Sequence, residues 1–227
     1  MVEYTVKRSS RKTMGIYVTP TGVEVRAPYS ISQKRIDWFV RKNEEWIKEK
    51  SIKQIERTAD KKKLELNYGS KINVLGKEYT ITEKPGDMVG YNDDDFFMPN
   101  GLGNKGIISA CKQIYRLIAR GIVIGKVVEY SMKVKITPLV VKISDAKKRW
   151  GSCSKGKSLN FAWRLMLADD YTLDYVVVHE LAHIKEMNHS KAFWDIVEQA
   201  MPDYRDREKK LKDIQVRLEK EGWMDDI

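Results

Sequence analysis

Histidine is missing from this sequence outside one run of eleven residues, His179 to His189. A chain that used histidine as ordinary structural filler would scatter it. Cysteine is nearly absent too. Cys111 and Cys153 are too few for a disulfide framework, and neither sits in a C-x-x-C pair, which favours a reducing, cytoplasmic setting. No long apolar run exists: the stretch Gly121 to Tyr130 is broken by Lys126 and Glu129, so no membrane span is expected. Met1 to Arg11 alternates polar and apolar residues and is already basic, unlike a signal peptide. No G-x-x-x-x-G-K-[ST] phosphate loop occurs, and Gly101-Leu102-Gly103-Asn104-Lys105-Gly106 is too loose a match. Long repeats and low-complexity tracts are absent as well.

What is present is a chain of 227 residues, enough for one sizeable domain or for a catalytic domain with a smaller companion. Its net charge of +10 is uneven. Residues 1–63 hold 16 Lys/Arg against 8 Asp/Glu, whereas the rest hold 26 against 24. A polyanionic partner such as nucleic acid would meet the basic N-terminal third.

The pattern along the chain reads as α+β: a β-rich N-terminal region with a long helix over 1–100, then a catalytic domain over 101–227. Residues 3–8 alternate as a strand, and Gly15 to Ala27 reads as a hairpin around Pro20-Thr21-Gly22. Ser32 can cap one helix from about Gln33 to Ala59, with Ile36, Phe39, Val40, Ile47 and Ile55 in its apolar stripe. Lys61-Lys62-Lys63 reads as a linker. Strands follow over 68–81 and 96–98, then a helix from about Lys105 to Val134 in which Gly121 and Gly125 each cost about 1 kcal/mol relative to Ala. A strand at 139–143 and a hairpin through 150–161 lead to a helix capped by Asp169 or Asp170. Helices at 191–201 and 203–221 close the chain.

That capped helix carries His179-Glu180-Leu181-Ala182-His183, an H-E-x-x-H string. Residues i and i+4 share one helix face, so His179 and His183 can offer two nitrogens to one metal. Glu180, beside that face, can act on a metal-bound water as general base. Zinc favours nitrogen ligands, and its catalytic sites take three protein ligands and a water. His189 lies about 600° further round a continuous helix than His183, so it can join only if the helix ends first. Asn188 tolerates the left-handed conformation of a helix end, and Ser190 can cap the next helix. An acidic residue on that next helix, Glu198, is the competing third ligand.

A second cluster runs Lys147-Lys148-Arg149-Trp150-Gly151-Ser152-Cys153, followed by Asn160 and Arg164. It reads as a positively charged strand–turn–strand whose edge could pair with an extended peptide. Arg149 or Arg164 could stabilise an oxyanion or hold a phosphate. Cys153 is a poor nucleophile, because every histidine is claimed elsewhere.

The order Arg149-Trp150-Gly151-Ser152-Cys153, Asn160, Trp163-Arg164-Leu165, Tyr175-Val176-Val177-Val178-His179-Glu180-Leu181-Ala182-His183, Asn188-His189-Ser190 and Phe193-Trp194 resembles the YgjP-like metal-dependent hydrolases. That family is similar to the SprT-like and WLM zinc metallopeptidases. The resemblance covers about residues 145–205. It implies zinc (Zn2+) ligands at His179, His183 and His189, with Glu180 as general base. It also implies a zincin-like catalytic fold, a small sheet beside the active-site helix with an edge strand along the cleft.

The expected function is therefore a zinc metallopeptidase acting on peptide or protein, with Arg149, Arg164 or Asn160 touching substrate and Tyr171 or Tyr204 as further oxyanion candidates. One alternative is a metal-dependent nucleoside triphosphate pyrophosphatase, which the Lys147-Lys148-Arg149 run would suit. Another is a nucleic-acid-associated protein with a structural metal, against which Glu180 argues, since a structural zinc site is closed by a fourth protein ligand.

Overall fold

The computed structural model describes residues 2–19, 21–59 and 61–225, and for Lys53 and 57–59 only the backbone. Pro20 of the expected hairpin turn lies outside the described residues. Contacts divide the chain into two compact units, Met1–Lys62 and Lys63–Ile227.

In the first unit β1 (Tyr4–Ser9), β2 (Gly15–Thr19) and β3 (Gly22–Pro28) form a sheet in the order β1-β3-β2. Alternation along β3 buries Val23, Val25 and Ala27, and these meet Ile36, Val40 and Ile47 from two helices. The single helix expected over 33–59 is two, α1 (Gln33–Lys42) and α2 (Glu44–Ala59). Asn43 leaves helical geometry at φ −108°, ψ 16°. Its side-chain amide donates to the Phe39 carbonyl, and its own carbonyl accepts from Ile47 N–H. The charges suit a break there: Arg41 and Lys42 end α1, and Glu44 and Glu45 begin α2, each pair opposing the local helix dipole. Ile55, expected in the stripe, is exposed.

The second unit opens with β4 (Lys71–Val74), β5 (Lys77–Lys84), β6 (Gly90–Tyr91) and β7 (Asp95–Pro99), a sheet ordered β4-β5-β7-β6. The β4–β5 turn places Leu75 and Gly76 at φ 49° and 93°. α3 (Asn104–Val134) follows as one continuous helix. Gly121 and Gly125 do not interrupt it, because Ile118, Ala119, Val123 and Val127 anchor the opposite face in the core. The boundary expected at 100/101 is not where the contacts divide. Leu66, Ile72, Val74, Ile81, Phe96 and Met98 share one core with Ile107, Ile114 and Tyr115 of α3. The Tyr115 hydroxyl donates to the Asn73 carbonyl at 2.9 Å. Asn104 at the start of α3 accepts from Leu66 N–H and donates to the Leu64 carbonyl.

β8 (Val140–Ser144), β9 (Gly151–Cys153) and β10 (Ser158–Ala162) form a third sheet, with β10 central, parallel to β8 and antiparallel to β9. A 3-10 turn, Trp163–Leu167, then leads to α4 (Asp170–Ala182), α5 (Lys191–Ala200) and α6 (Tyr204–Lys220). α4 packs against α3, α5, α6 and β9. This is the expected α+β layout, a small sheet beside the histidine-bearing helix. No helix among the described residues is long and apolar enough to cross a membrane.

Candidate metal centre

α4 is fixed at its start by Asp169, whose carboxylate accepts from Thr172 N–H at 2.8 Å and from the Thr172 hydroxyl at 2.6 Å. Tyr175, Val176, Val177, Val178, Leu181 and Ala182 are buried, so packing sets the rotation of the helix that presents His179 and Glu180. The helix stops at Ala182, earlier than expected. A turn over 183–185 does what Asn188 was expected to do. Ile184 and Lys185 N–H reach back to the Leu181 and Ala182 carbonyls, and Asn188 is not among the residues with positive φ. Ser190 then caps α5, accepting from Phe193 N–H at 3.3 Å, as the sequence suggests.

The turn returns His189 to the other two. His179 Nε2 lies 3.2 Å from His183 Nε2 and 3.1 Å from His189 Nε2. His183 Nδ1–H donates to the Glu186 carbonyl at 3.0 Å, which leaves a bare lone pair on Nε2 of the neutral ring. Burial, followed by the charges of His183 and His189, pushes His179 down to about 3, so it too is neutral. Lone pairs converging this closely suit a shared cation. Tetrahedral zinc with bonds of 2.0–2.1 Å needs nitrogens about 3.3 Å apart. The three histidines are the group of possible ligands that the described residues bring together. Glu198, the competing candidate, is exposed on α5 and outside that group.

Behind the nitrogens stands an aromatic brace. The Phe193 ring lies 4.9, 4.5 and 4.8 Å from His179, His183 and His189 between centroids. Trp194 stacks on His189 and Tyr204 stacks on Trp194. Tyr175, one turn before His179, sets its hydroxyl 3.4 Å from His179 Nδ1. Its spacing of four residues from His179 signals this contact in the sequence, where the residue reads as core.

Glu180 is only 6% exposed, and its Oε2 is buried with no hydrogen-bond partner among the described residues. Burial raises its carboxyl to about 7 against the opposing charge of Arg149. Its methylene and carboxylate fill the notch left by Gly151 on β9, where a Cβ would come within 2.6 Å of Glu180 Cγ. The sequence reading passed over Gly151, although Trp150-Gly151-Ser152 shows a glycine inside a strand, a mark of close approach. Cys153 is pushed up by burial and by the Glu180 charge, in keeping with a thiol that is no nucleophile.

Of the expected substrate contacts, the exposed Arg149 lies near enough to act electrostatically on Glu180. Arg164 does not reach the site. It is fully buried, donating through Nε to the Trp223 carbonyl at 2.8 Å and pairing with the Asp145 carboxylate at 2.8 Å. It is a tie between the 3-10 turn and the C-terminal segment. Asn160 stands opposite Ser152, one residue out of step with the Gly151–Phe161 pair. Alternation therefore puts it on the sheet face away from Glu180. The Tyr204 hydroxyl accepts from Arg205, and the Tyr171 ring lies 3.8 Å from the Arg207 guanidinium while its hydroxyl is hydrogen-bonded with Asp203.

The sequence pattern of the YgjP-like, metallopeptidase domain matches residues 12–214. The chain belongs to that family. The YgjP-like assignment covers the metal centre and most of the N-terminal unit, and makes the protein a metallopeptidase-type, metal-dependent hydrolase. The metallopeptidase zymogen of Pyrococcus abyssi abylysin is 24% identical, with a TM-score of 0.38 over 42% of this chain and 94% of that one. The zymogen of Methanocaldococcus jannaschii jannalysin is also 24% identical, with a TM-score of 0.36 over 40% and 94%. No curated protein matches the YgjP-like chain.

Proposed function

We propose that this YgjP-like protein is a zinc-dependent peptidase in which Glu180 is the general base. The observation that carries the reading is a buried carboxylate oxygen without a partner, on the residue next to a histidine whose Nε2 is 3.1–3.2 Å from two others. His179, His183 and His189 would hold the ion. When bound, zinc supplies Lewis acidity toward a carbonyl and makes water easier to deprotonate.

The remaining work falls to the chain. Glu180 Oε2 holds the attacking water, takes its proton and later returns it to the leaving amine. The Gly151 notch fixes that carboxylate, because its carbon chain lies against the β9 backbone. The edge of β9 offers free backbone groups on which an extended peptide can align. The Arg149 charge favours the ionised carboxylate and suits an anionic intermediate or substrate group.

The same charge supports a second reading, hydrolysis of a phosphoanhydride in a nucleoside triphosphate, with Lys147 and Lys148 preceding Arg149 in the loop before β9. A purely structural metal fits less well, since three histidines leave a coordination position open and Glu180 stands ready beside it.

The test is Glu180→Gln in zinc-loaded protein, assayed in parallel on unfolded protein and on nucleoside triphosphates. Zinc retained with hydrolysis lost supports the mechanism, and the substrate consumed by the unmutated protein decides between the readings. Hydrolysis undiminished by Glu180→Gln removes Glu180 from the mechanism.

A further inference from the structure

One face of α1 carries a single aromatic ring among cations. Trp38 is 57% exposed. On a helix its neighbours are the residues three and four positions away on either side. Here all four are cationic and exposed: Lys34, Arg35, Arg41 and Lys42. None of the four is in an ion pair among the described residues. The acidic residue of α1, Asp37, accepts hydrogen bonds from Tyr4 and Gln33 and lies near enough to Arg41 to feel its charge. Lys42 Nζ already lies 5.2 Å from the Trp38 ring centroid. Ile36 and Val40 hold the other face of α1 in the core, so the Trp38 face stays outward. Two turns on, Trp46 repeats the pairing with Lys50 at 6.0 Å. One of that second ring's helical neighbours, Glu49, is acidic, whereas all four of Trp38's are cationic.

We propose that this face of α1 binds single-stranded DNA, with a base stacked on Trp38 and phosphates held by Lys34, Arg35, Arg41 and Lys42. An exposed indole offers a π-face to any base, and flanking cations supply the charge that a phosphate backbone complements. A duplex hides its base faces and would use the cations alone. A membrane-surface helix needs further apolar side chains beside its tryptophan, whereas here every neighbour is charged. Gln33, the one amide or hydroxyl side chain within α1, is engaged with Tyr4 and Asp37. What α1 presents around Trp38 is charge for phosphates and a ring for a base, rather than an amide or hydroxyl free to read a ribose 2′-hydroxyl. The inference goes beyond the hydrolytic reading and does not depend on it, because the face is built from residues of the first unit alone.

The test is fluorescence anisotropy of labelled oligothymidylate with the full chain, metal-loaded and metal-free, across a salt titration. Four phosphate contacts on a single strand give a slope of log affinity against log salt of about −3. Trp38→Ala is expected to weaken binding by about 5- to 150-fold, the worth of one stacked base, at an unchanged slope. Trp38→Phe falls between, and Trp46→Ala has little effect. Joint replacement of Lys34, Arg35, Arg41 and Lys42 by alanine flattens the slope. These side chains are exposed, so thermal melts of the variants should match the parent. Four results overturn the proposal: binding indifferent to Trp38→Ala; a duplex bound as tightly as the single strand; oligouridylate preferred tenfold; or tighter binding to phosphatidylserine vesicles that oligothymidylate does not displace.

Discussion

Replacing Gly151 by alanine adds one methyl group to the molecule and places it against the proposed base. Built on the existing backbone, that Cβ lies 2.6 Å from Glu180 Cγ, 2.7 Å from Oε1 and 2.8 Å from Cδ. Ordinary carbon contacts begin near 3.5 Å, so the carboxylate, or β9, must retreat by about 0.9 Å. Glu180 is buried and has little room to yield. A misplacement of about 1 Å in catalytic geometry costs about 10²-fold in rate, and overpacking costs about 1–3 kcal/mol of stability. For a chain of this size that lowers Tm by about 2–12 °C. Gly151→Ala is therefore expected to retain zinc, because none of the three histidines is touched, to melt a few degrees lower, and to lose about two orders of magnitude in kcat. The decisive measurement is the double variant with Glu180→Gln. If the methyl acts through the carboxylate, Gly151→Ala adds little once the carboxylate is gone, and the two losses are strongly non-additive. Full activity in Gly151→Ala, or losses that simply multiply, would refute the notch as the device that positions Glu180.

Other outcomes follow from the same geometry. His189→Ala should abolish stoichiometric zinc binding, measured by metal analysis after dialysis, while Glu198→Ala leaves it intact; the reverse result would make the acidic side chain the third ligand. Tyr175→Phe removes the hydroxyl 3.4 Å from His179 Nδ1 and should weaken zinc affinity by about 10- to 100-fold in a chelator competition, as loss of a hydrogen bond behind a metal ligand does. For Asp145, burial raises the carboxyl, but hydrogen bonds from Lys112, Trp163 and Arg164 outweigh it and hold the group at about 2, below its ordinary 3.8. A folded-state pKa below the unfolded one gives stability that is present above about pH 4 and lost as pH falls toward 2. Asp145→Asn should accordingly flatten the acid limb of a Tm-against-pH curve, and an unchanged limb would show that Asp145 carries none of it.

How much of the site could be read in the sequence depends on how far apart its partners lie along the chain. His179 and His183 are legible because one helical turn brings them together, whatever the rest of the fold does. Asp169 and Ser190 are legible for the same reason, each capping a first turn through an N–H three residues on. The break at Asn43 was within reach too, since Arg41-Lys42 followed by Glu44-Glu45 is the charge order of one helix ending and another beginning. The return of His189 requires the helix to stop, a need legible in the spacing, but the way it stops is not. A left-handed Asn188 is one of several ways to end a helix, and the chain instead uses a hydrogen-bonded turn over 183–185.

Arg164 shows where local reading ends. An arginine close to a cluster of active-site residues invites a substrate-binding role, and nothing within several residues of it says otherwise. Its role is set by Asp145, 19 residues before it, and by the Trp223 carbonyl, 59 residues after it. A buried guanidinium is tolerated where such partners take its charge and most of its donors, here those on Nε and Nη1. Trp163 points the same way: its indole N–H donates to the same Asp145 carboxylate at 2.7 Å, and its ring stacks on Tyr115 of α3. The Trp163-Arg164 pair thus joins the loop after β8 that bears Asp145, the central helix and the C-terminal segment around one carboxylate. Gly151 is the converse case. The residue has no side chain to advertise a role, and its importance lies in the space it leaves for Glu180, 29 positions away on another element. A motif supplies the groups that do chemistry, whereas the residues that hold those groups in place are defined by absence and by distance along the chain, and only the packed structure shows them.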